Sequence, residues 1–479
     1  MQDCEYDVIV AGGGSAGSMA ALAAARAGAR TCLIEGQGYA GGTCLALGNA
    51  LPFHNNRGEA VIGGYPQEFV DRMVVAGGAS ERGHLPNTAG IGGSFTPLDP
   101  EIMKYVLFEM LTEAGVDMWL HTRLLGSLTE DGRVTGVTVH NKSGIRALRA
   151  SVVIDTTGDA DVAVGAGAEF HQDVPEEALN ATLIFRVAGV DCDRFLSDIY
   201  EHLSRMTMLA DPYLREVKGL TPRIVMDEHV RTIHDMPYIY IANVVRDYIP
   251  QGDWPEWGIT SDEKAGWGRI RPFGSRLSIM AAPRRDDLVT INATSMTFDA
   301  TNGTDLSLAE IQGQRQVQML VTLLRRYIPG FANAYLHSVT PSVSVRASRR
   351  IVGEYQLTRE DAEQERRFPD GVARCSYPMS VQATDRPNVR GYLFVRNGGD
   401  YDIPYRCFVP RKVDGLLVAG RCLSATREAS GSARIGASCM AYGQATGTAA
   451  ALAAQQGIQP RNVDYHELRS VLKQNKAVI

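Results

Sequence analysis

The chain has 479 residues, of which 44% are hydrophobic and 21% are charged, and its formal net charge is -6. This length allows more than one domain, and the composition is that of an ordinary globular protein. Because the charge balance is acidic, it implies no surface for nucleic acid or for an anionic membrane.

The cysteine usage and the first residues predict a cytoplasmic protein. The eight cysteines form no regular framework and no CxxC pair, which favours free thiols in a reducing compartment. The acidic start MQDCEYD predicts no signal peptide. The most apolar segment, near the C-terminus, is interrupted by glycines, Gln444 and Thr446, so we expect no membrane span.

Residues 6–35 predict a strand, a glycine turn, a helix and a second strand that ends on an acid. In the GxGxxG spacing, Gly12 permits a sharp turn, Gly14 a close approach to a pyrophosphate, and Gly17 tight packing of the helix on the sheet. The helix N-terminus would stabilise phosphates, and Glu35 would bind ribose hydroxyls. The alternative is a glycine-rich turn without a ligand. The predicted dinucleotide site consists of Gly12, Gly14, Ser15, Ala16, Gly17, Glu35 and Gly36.

A second glycine turn, at residues 41–42, follows the second strand. Here the chain resembles the glutathione-reductase-like flavoproteins, in which a GG motif after the acidic strand brings the backbone up to FAD. The resemblance implies FAD contacts by Gly42, Thr43 and Cys44. Disulfide reductases of that superfamily carry a second cysteine where this chain has Asn49, so a redox disulfide is disfavoured. Cys44 would lie near the flavin ring or serve as a small buried filler.

Two histidines lie in the polar segments that follow. His54 begins the cluster HNNR, which would lie near the substrate if the glycine turn covers the flavin ring; the alternative is a solvated loop. A helix is predicted over residues 63–76. His84 lies in a Gly/Pro/polar stretch, residues 77–100, that predicts a long loop. Such loops are often functional, although a loop histidine can equally be a surface residue.

Residues 151–155 predict a buried strand that is followed by the sequence TTGD. This feature resembles the second FAD-contact motif of the same flavoproteins, which implies that Thr157 and Gly158 approach the dinucleotide. Leu124, just past a predicted short strand at residues 118–122, matches the position where such proteins meet the adenine through backbone atoms. The resemblance therefore implies a second part of the FAD site in this region.

The character of the sequence changes in the middle of the chain, where charge rises, three tryptophans cluster and alternating apolar segments predict strands. We predict an inserted α+β substrate or cap domain over residues 171–390. The FAD-binding domain would be discontinuous and comprise residues 1–170 and 391–479. Arginines of the insert could bind an anionic or polar substrate through guanidinium forks, or lie on the surface. They are Arg271, Arg276, Arg346, Arg349 and Arg350.

The C-terminal block predicts a buried strand, LLVA, that ends in Gly420 and Arg421, and a helix of small residues over 436–454. Small residues permit a backbone to approach a flat ring, and a helix N-terminus could stabilise negative charge on a reduced flavin. The pattern GLLVAGRC…S…R…C…GQA.GTAAALA resembles the signature of a family of FAD-dependent oxidoreductases. Three motifs in the expected order thus frame nearly the whole chain. The resemblance implies cofactor contacts by Arg421, Ala441 and Gln444.

One position departs from the pattern of related flavoproteins. Many of them carry Gly-Asp where this chain has Gly420 and Arg421, and the acid holds a ribityl hydroxyl. Arg421 would instead donate to phosphate or ribityl oxygens. Arg434, two residues before the helix, would face the ring or the substrate, or form a salt bridge within its loop.

Together these features predict an α/β protein with a Rossmann-like three-layer FAD-binding domain and an inserted α+β domain. FAD is the predicted cofactor and no metal site is predicted. The predicted function is transfer of a hydride equivalent between a small polar organic substrate and flavin N5. His54 is the first candidate to handle the proton, because imidazole titrates near neutral pH. Tyr401 and Arg406 are the next candidates, since their segment should return to the domain junction, where ligands usually bind.

The second electron partner is left open, because no second complete GxGxxG unit indicates a dedicated NAD(P)H domain. Oxygen, a quinone, a carrier protein or a transiently bound pyridine nucleotide would serve. Two alternatives compete with a self-contained enzyme. One is a flavoprotein subunit that passes electrons to a protein partner. The other is a non-catalytic dinucleotide-binding protein, which the TGD strand and the small-residue helix argue against. The sequence specifies neither the substrate nor the oligomeric state.

Overall fold

The computed structural model describes residues 4–42, 47–87, 91–174, 179–201, 233, 238–241, 248–249, 277–382 and 390–479. Several predictions lie outside the described residues, namely those for Thr43, Cys44, Arg271, Arg276 and the tryptophan cluster. All structural statements below concern the described part of the chain.

The N-terminal third alternates strands with helices. Its elements are β1 (Cys4–Ala11), α1 (Ser15–Arg26), β2 (Thr31–Ile34), β3 (Asn49–Ala50), α2 (Tyr65–Val75), β4 (Leu85–Pro86), β5 (Ser94–Pro97), α3 (Pro100–Glu113), β6 (Asp117–Trp119), β7 (Arg123–Glu130), β8 (Arg133–Asn141), β9 (Gly144–Asp155), α4 (Asp161–Gly165) and β10 (Phe170–Gln172). Asp99 caps α3 by accepting from the backbone N–H groups of Glu101 and Ile102, and Pro100 occupies the first turn. Both features are typical of helix starts.

The rest of the chain adds a second set of strands and the long helices. Its elements are β11 (Phe185–Ala188), α5 (Cys192–Glu201), β12 (Tyr238–Ile241), β13 (Leu277–Ala281), β14 (Leu288–Asn292), α6 (Gly303–Tyr327), β15 (Tyr335–Val339), β16 (Arg349–Ile351), α7 (Arg359–Glu363), β17 (Gly371–Cys375), β18 (Met379–Gln382), β19 (Arg390–Leu393), β20 (Tyr401–Pro404), β21 (Leu416–Val418), α8 (Arg427–Ala433), α9 (Gly436–Gln456) and α10 (Tyr465–Gln474). None of the helices in the described residues has the length and apolar character that crossing a bilayer requires.

The predicted loop over residues 77–100 is wrong in part. It contains β4 and β5, which join β3 in a small antiparallel sheet of order β3-β5-β4. All four residues of β5 are buried, so its side chains do not alternate in polarity as those of a half-buried strand do. The glycines and prolines that flank the two strands are typical of loops, so they also favoured the loop prediction.

The first sheet has the order β6-β2-β1-β9-β8-β7, and β21 pairs with β9 as well. β1 is parallel to β2 and β9, with Val8 aligned to Thr31 on one side and to Val152 on the other. The start of β9 pairs antiparallel with β8, whereas its end pairs parallel with β21. Strand β9 therefore joins the parallel sheet to an antiparallel β7–β8–β9 meander.

The two faces of this sheet belong to different cores, because successive side chains of a strand point to opposite faces. Val8 and Val10 pack in a core that includes residues of α1, α3 and α9. Ile9 packs in another core, with residues of β8 and α4. The layers are therefore helices, parallel sheet and antiparallel meander. This arrangement confirms the predicted Rossmann-like three-layer α/β fold.

Helices α1 and α9 pack closely through small residues. A Cβ atom added at Gly443 would lie 2.1 Å from the carbonyl oxygen of Ala16. At Gly447 it would lie 2.2 Å from the carbonyl oxygen of Ala20. Part of the small-residue character of α9 therefore serves contact with another helix.

A second core lies around an antiparallel sheet of order β12-β13-β14-β11-β15. Phe185 and Ile291 of this sheet pack with Val317 and Leu320 of α6. Leu357, within the predicted insert, packs in the first core instead. The domain boundaries at residues 170 and 391 stay a prediction.

Candidate functional site

A cleft with a volume of about 320 Å³ lies between the first sheet and the second. Its floor contains the turns that follow β1 and β9, and its far wall contains residues of β13 and β14. The predicted cofactor residues that line it are Gly12, Gly14, Ser15, Ala16, Glu35, Gly42, Thr157, Gly158 and Arg421. The fold therefore brings the three separated sequence motifs to one cleft.

The glycines of the first turn have distinct environments. Gly12 has a φ of +104°, and an added Cβ would lie 2.6 Å from the carbonyl oxygen of Thr156. An added Cβ at Gly17 would lie 1.7 Å from the carbonyl oxygen of Gly12. At Gly14, by contrast, it would meet no atom within 4 Å. Gly12 and Gly17 are thus required by packing, whereas Gly14 leaves its backbone accessible from the cleft.

Glu35 is fixed at the end of β2 by backbone donors. Its carboxylate accepts from the N–H of Gly13 at 2.7 Å and from the N–H of Gln37 at 2.8 Å. Burial raises the pKa of Glu35, and these hydrogen bonds act in the opposite direction. The carboxylate lines the cleft beside the glycine turn. It is positioned to accept further hydrogen bonds from a ligand.

Two buried residues fix the second turn, and one of them, Thr156, joins it to the first. Asp155 accepts from the N–H of Thr157 at 3.0 Å, from its hydroxyl at 2.7 Å and from the N–H of Ala163 at 2.9 Å. Burial raises the pKa of Asp155 to about 6. The hydroxyl of Thr156 donates to the carbonyl of Gly12 at 2.7 Å. Sequence reasoning assigned no role to Asp155, although an acid inside a buried strand was a usable signal.

Arg421 joins three parts of the chain. Its Nε donates to the carbonyl of Gly158 at 2.6 Å, and Nη2 donates to Asp159 Oδ1 at 2.6 Å. Its Nη1 donates to the carbonyl of Val345. A guanidinium has five N–H donors, so donors remain for a ligand. The predicted donation from Arg421 to phosphate or ribityl oxygens stays a prediction.

Three buried oxygen atoms of residues on the cleft wall have no hydrogen-bond partner among the described residues. They are Asn49 Oδ1, Ser344 Oγ and Ser380 Oγ. The Asn49 amide is oriented by its Nδ2, which donates to the carbonyl of Leu47 at 3.0 Å. Buried polar atoms without partners are costly, so this wall suits a ligand with complementary polar groups. FAD, with ring N–H, ribityl hydroxyl and pyrophosphate groups, fits these residues and the accessible backbone at Gly14.

The start of α9 also lines the cleft, through Arg434, Ile435, Gly436 and Cys439. Ile435 is the N-cap, and no described side chain caps the helix there. The first N–H groups of the helix can therefore bind an acceptor atom of a ligand.

A cluster of three tyrosines and two arginines, one of them Arg434, also lines the cleft, and sequence reasoning did not find its tyrosines. Tyr238, Tyr377 and Tyr392 line the cleft with Arg346 and Arg434. Burial raises the pKa of the Tyr377 phenol well above 10; the two other tyrosines raise it further, and the two arginines lower it. The five residues are far apart in the sequence and form no motif, so no local signal could have grouped them.

The predicted proton-handling residues do not line the cleft. His54 is half-buried, and burial lowers its pKa. Tyr401 is fully buried, and its hydroxyl shares a hydrogen bond of 2.7 Å with Ser432 Oγ. The Nε of Arg406 donates to Asp370 at 2.9 Å. Their catalytic roles stay predictions.

Five of the predicted cofactor residues also lie away from the cleft wall. Gly17 lies beneath the first turn, and Gly36 lies in the exposed turn after Glu35. Leu124 packs against the core on the meander side. Ala441 and Gln444 lie further along α9, where the Gln444 amide accepts from the N–H of Tyr65 at 2.9 Å.

The described arginines of the predicted insert lie in different environments. Arg346 lines the cleft. Arg350 forms a buried ion pair with Asp173 at 2.6 Å, and Arg349 donates to Asp161. Arg346 is therefore the member of this set that can meet a ligand in the cleft.

Comparison with known proteins identifies the family. The family described as FAD dependent oxidoreductase matches residues 7–472. A digeranylgeranylglycerophospholipid reductase of Thermoplasma volcanium is 30% identical over 203 residues, which cover 41% of this chain and 50% of that protein. Another, from Methanoculleus marisnigri, is 29% identical over 207 residues, 41% of this chain and 49% of that protein. The chain thus spans about half the length of these curated relatives.

Two solved structures match most of this chain at low sequence identity. A geranylgeranyl bacteriochlorophyll reductase-like protein of Thermoplasma acidophilum is 13% identical, with a TM-score of 0.45, and covers 98% of this chain and 84% of that chain. The p-nitrophenol 4-monooxygenase of Pseudomonas putida is 12% identical, with a TM-score of 0.47, and covers 99% of this chain and 87% of that chain.

The match over residues 7–472 confirms the prediction of an FAD-dependent oxidoreductase with FAD as its cofactor. The wider glutathione-reductase-like label is less apt, because the curated relatives are named as lipid reductases. By sequence and by the residues of its cleft, the chain belongs to the family of FAD dependent oxidoreductases.

Proposed function

We propose that the chain transfers a hydride equivalent between a small polar organic substrate and the N5 atom of bound FAD. This proposal rests on the observation that one cleft contains both the predicted dinucleotide site and a wall of polar side chains. Its floor holds the dinucleotide and TGD turns, and its far wall holds polar side chains from the second sheet and from segments next to its strands, including Thr182, Asn292 and Thr294. A dinucleotide bound along the floor would direct its ring towards that wall and the start of α9.

In this proposal each part of the floor binds one part of the cofactor. Glu35 accepts the ribose hydroxyls, and the backbone at Gly14 with the first N–H groups of α1 binds the pyrophosphate. Ser344 and Asn49, each with an unpartnered buried oxygen, hydrogen-bond to the ribityl and ring groups. When bound, FAD supplies the two-electron chemistry. The protein binds and orients both reactants and excludes water from between them.

A proton accompanies the hydride, and His54 is the residue proposed to exchange it. Because His54 does not line the cleft, it would do so through an intervening group. Burial lowers the pKa of His54, so its imidazole is neutral at pH 7 and can accept a proton. Tyr401 is the second candidate. Its hydroxyl shares a hydrogen bond with Ser432, whose own hydroxyl donates to the carbonyl of Tyr377 at the cleft. Arg406, whose Nε donates to Asp370, is the third candidate.

A second candidate function is the reduction of an isoprenoid lipid, as the names of the curated relatives suggest. Sequence identity of 30% to one of these reductases favours it, as do the apolar side chains of Leu47, Leu51 and Met280 on the cleft wall. The arginines and polar side chains on the same wall favour a small polar substrate instead. A further alternative is a flavoprotein subunit that passes its electrons to a protein acceptor. In that case a substrate would reduce the bound flavin, but turnover with small-molecule acceptors would be slow.

An anaerobic screen tests these functions. The purified protein, reconstituted with FAD, is mixed with organic acids, alcohols, sugars, amines or a detergent-dispersed geranylgeranyl lipid. We expect the oxidised-flavin absorbance to be lost with a member of the small polar set. Loss with the lipid alone would support the second function. A protein that stays colourless after reconstitution would contradict both.

A further inference from the structure

Two strand pairs each present a tyrosine and a neighbouring side chain to the cleft. In the pair of β12 and β13, Tyr238 lies directly opposite Met280. In the pair of β18 and β19, Tyr392 lies directly opposite Ser380. All four residues line the cleft. Because directly opposite residues of an antiparallel pair point to the same face, each tyrosine ring and its neighbour reach the cleft side by side.

A third tyrosine joins the two pairs. Tyr377 lines the cleft shortly before β18, and both other tyrosines lie close enough to act on the pKa of its phenol. The apolar parts of the three side chains pack in one small cluster with Ile91 and Phe394. Tyr392 is buried, whereas Tyr238 and Tyr377 are only half-buried. The cluster therefore leaves part of its aromatic surface uncovered at the cleft.

A buried hydroxyl beside these rings lacks a partner. Ser380 is 3% exposed, and its Oγ has no hydrogen-bond partner among the described residues. Its strand lies directly against α8, since a Cβ added at Gly431 would lie 2.5 Å from the carbonyl oxygen of Ser380. Burying a hydroxyl without a partner is unfavourable, and packing of apolar ring surfaces does not offset this cost. The position opposite Tyr392 therefore suits a polar group of a ligand.

We propose, on the basis of the function proposed above, that the substrate is an aromatic compound with a hydrogen-bonding substituent. Its ring packs against the rings of Tyr238, Tyr377 and Tyr392, and its substituent forms a hydrogen bond with the hydroxyl of Ser380. Aromatic rings attract one another in offset or edge-to-face arrangements, which strengthen binding beyond the burial of apolar area by about two- to tenfold. The thioether of Met280, beside Tyr238, is a further favourable neighbour of an aromatic ring.

The test compares aromatic compounds with saturated analogues on the FAD-loaded protein. Phenol, benzyl alcohol and benzamide are paired with cyclohexanol, cyclohexylmethanol and cyclohexanecarboxamide, and dissociation constants are measured by ligand-observed NMR. A saturated ring buries a similar apolar area but has no π-system. We therefore expect at least one aromatic compound to bind about threefold or more tightly than its saturated partner, and this ratio is the aromatic preference.

Variants of the wall separate the rings from the hydroxyl. In Tyr377→Leu and Tyr392→Leu the aromatic preference should fall towards unity, whereas Tyr377→Phe keeps the ring and should keep the preference. Ser380→Ala should lower the affinity for benzyl alcohol relative to toluene by about threefold or more, because toluene has no polar substituent. The control is Tyr335→Leu on β15, which is 57% exposed and outside the cleft wall, and the preference should survive it.

The outcomes separate this inference from the function on which it rests. Failure of the wild-type protein to take up FAD overturns the proposed function. Normal FAD uptake without an aromatic preference in any pair overturns the inference alone, as does a preference that survives Tyr377→Leu and Tyr392→Leu. If both leucine variants lose FAD, the rings hold the flavin, and the inference is again overturned. Where one of them does not fold, Tyr238→Leu replaces it.

Two further outcomes test the separate parts of the inference. Loss of the aromatic preference in Tyr377→Phe would assign the effect to the phenol hydroxyl and overturn the role of the ring. An unchanged ratio of benzyl alcohol to toluene affinity in Ser380→Ala would overturn the role of the serine.

Discussion

Two glycines of the same turn serve different purposes, although both belong to the GxGxxG spacing. Gly14 has a φ of -69°, which any residue adopts, and a Cβ added to it would face open space. We expect Gly14→Ala to leave the free energy of unfolding within about 0.5 kcal/mol of wild type. It should weaken FAD binding about tenfold or more, because the methyl group occupies the approach to the pyrophosphate. Flavin fluorescence titration measures the affinity, and urea unfolding of the apoprotein measures the stability.

Gly17→Ala is the matched comparison. Its Cβ would lie 1.7 Å from the carbonyl oxygen of Gly12, so the turn or the helix must shift. Overpacking of this kind costs about 1–3 kcal/mol or more in stability. A Gly17→Ala protein as stable as wild type, or a Gly14→Ala protein with full FAD affinity, would contradict the assigned roles.

His84 is a packed neutral histidine. Its Nδ1 and Thr96 Oγ1 are 2.7 Å apart, its Nε2 and Gln67 Oε1 are 2.9 Å apart, and its ring lies 4.4 Å from that of Phe53. Burial is the main cause that lowers the pKa of His84 to about 4, and the nearby His54 is the second cause. The folded state therefore binds fewer protons than the unfolded state between about pH 6.5 and pH 4. The stability from this group is complete above pH 6.5 and is lost as the pH falls towards 4.

We therefore expect acid to destabilise the wild type more than His84→Gln. Across the interval from pH 7 to pH 4.5, the difference in their free energies of unfolding should change by about 2 kcal/mol, allowing for the partial exposure of the ring. Urea unfolding of both apoproteins at several pH values measures it. Parallel pH profiles for the two proteins would show that the ring is not held neutral by its surroundings.

Contact between α1 and α9 is the element-scale feature on which the cleft depends, because each helix presents its N-terminus to it. Glycine makes this contact possible, since Gly443 and Gly447 lie over the backbone of Ala16 and Ala20. A wider separation of the helices would also separate the two helix N-termini. Packing between these helices and the geometry of the cleft are therefore coupled.

Gly447→Ala should destabilise the protein, although alanine is the better helix former. The new Cβ would lie 2.2 Å from the carbonyl oxygen of Ala20, so we expect a loss of about 1–3 kcal/mol. The control is Gly303→Ala in the first turn of α6, where a Cβ meets no atom within 4 Å. That change should be neutral or stabilising by up to about 1 kcal/mol. Chemical unfolding of both variants would refute the packing argument if their stabilities changed equally.

At the scale of the molecule, the sequence predicted the parts of the cleft that local spacing encodes. Gly12, Gly14 and Glu35 lie on one continuous strand–turn–helix–strand unit, and their geometry follows from short-range rules. The tyrosine cluster of the cleft could not be predicted, because Tyr238 and Tyr392 belong to strands of two different sheets that come together only in the folded protein. Helix α9 shows both cases. Its extent was predicted to within two residues. Its small residues were predicted to let the backbone approach the flavin ring, whereas its glycines pack against α1.

Arg421 links distant parts of the molecule, since its guanidinium joins Gly158 and Asp159 of the TGD turn to Val345 near the second sheet. The side chains of Arg421 and Asp159 are 16% and 26% exposed, so solvent screens this pair only partly. We expect Arg421→Met to lower the free energy of unfolding by about 2–4 kcal/mol, because buried acceptors lose charged donors. The surface pair of Arg285 with Asp287, 53% and 51% exposed, is the control, and Arg285→Met should cost less than about 1 kcal/mol.

A double-mutant cycle with Asp159→Asn separates the ion pair from the rest of the Arg421 contacts. In that background Arg421→Met should cost less than in the wild type, with a coupling energy of about 0.5–3 kcal/mol. Equilibrium unfolding of the four apoproteins in urea, followed by circular dichroism, gives the cycle. A coupling of zero would mean that the carbonyls of Gly158 and Val345, rather than the Asp159 carboxylate, account for the contribution of Arg421. A cost for Arg421→Met no larger than that for Arg285→Met would mean that the guanidinium does not join the two parts of the fold.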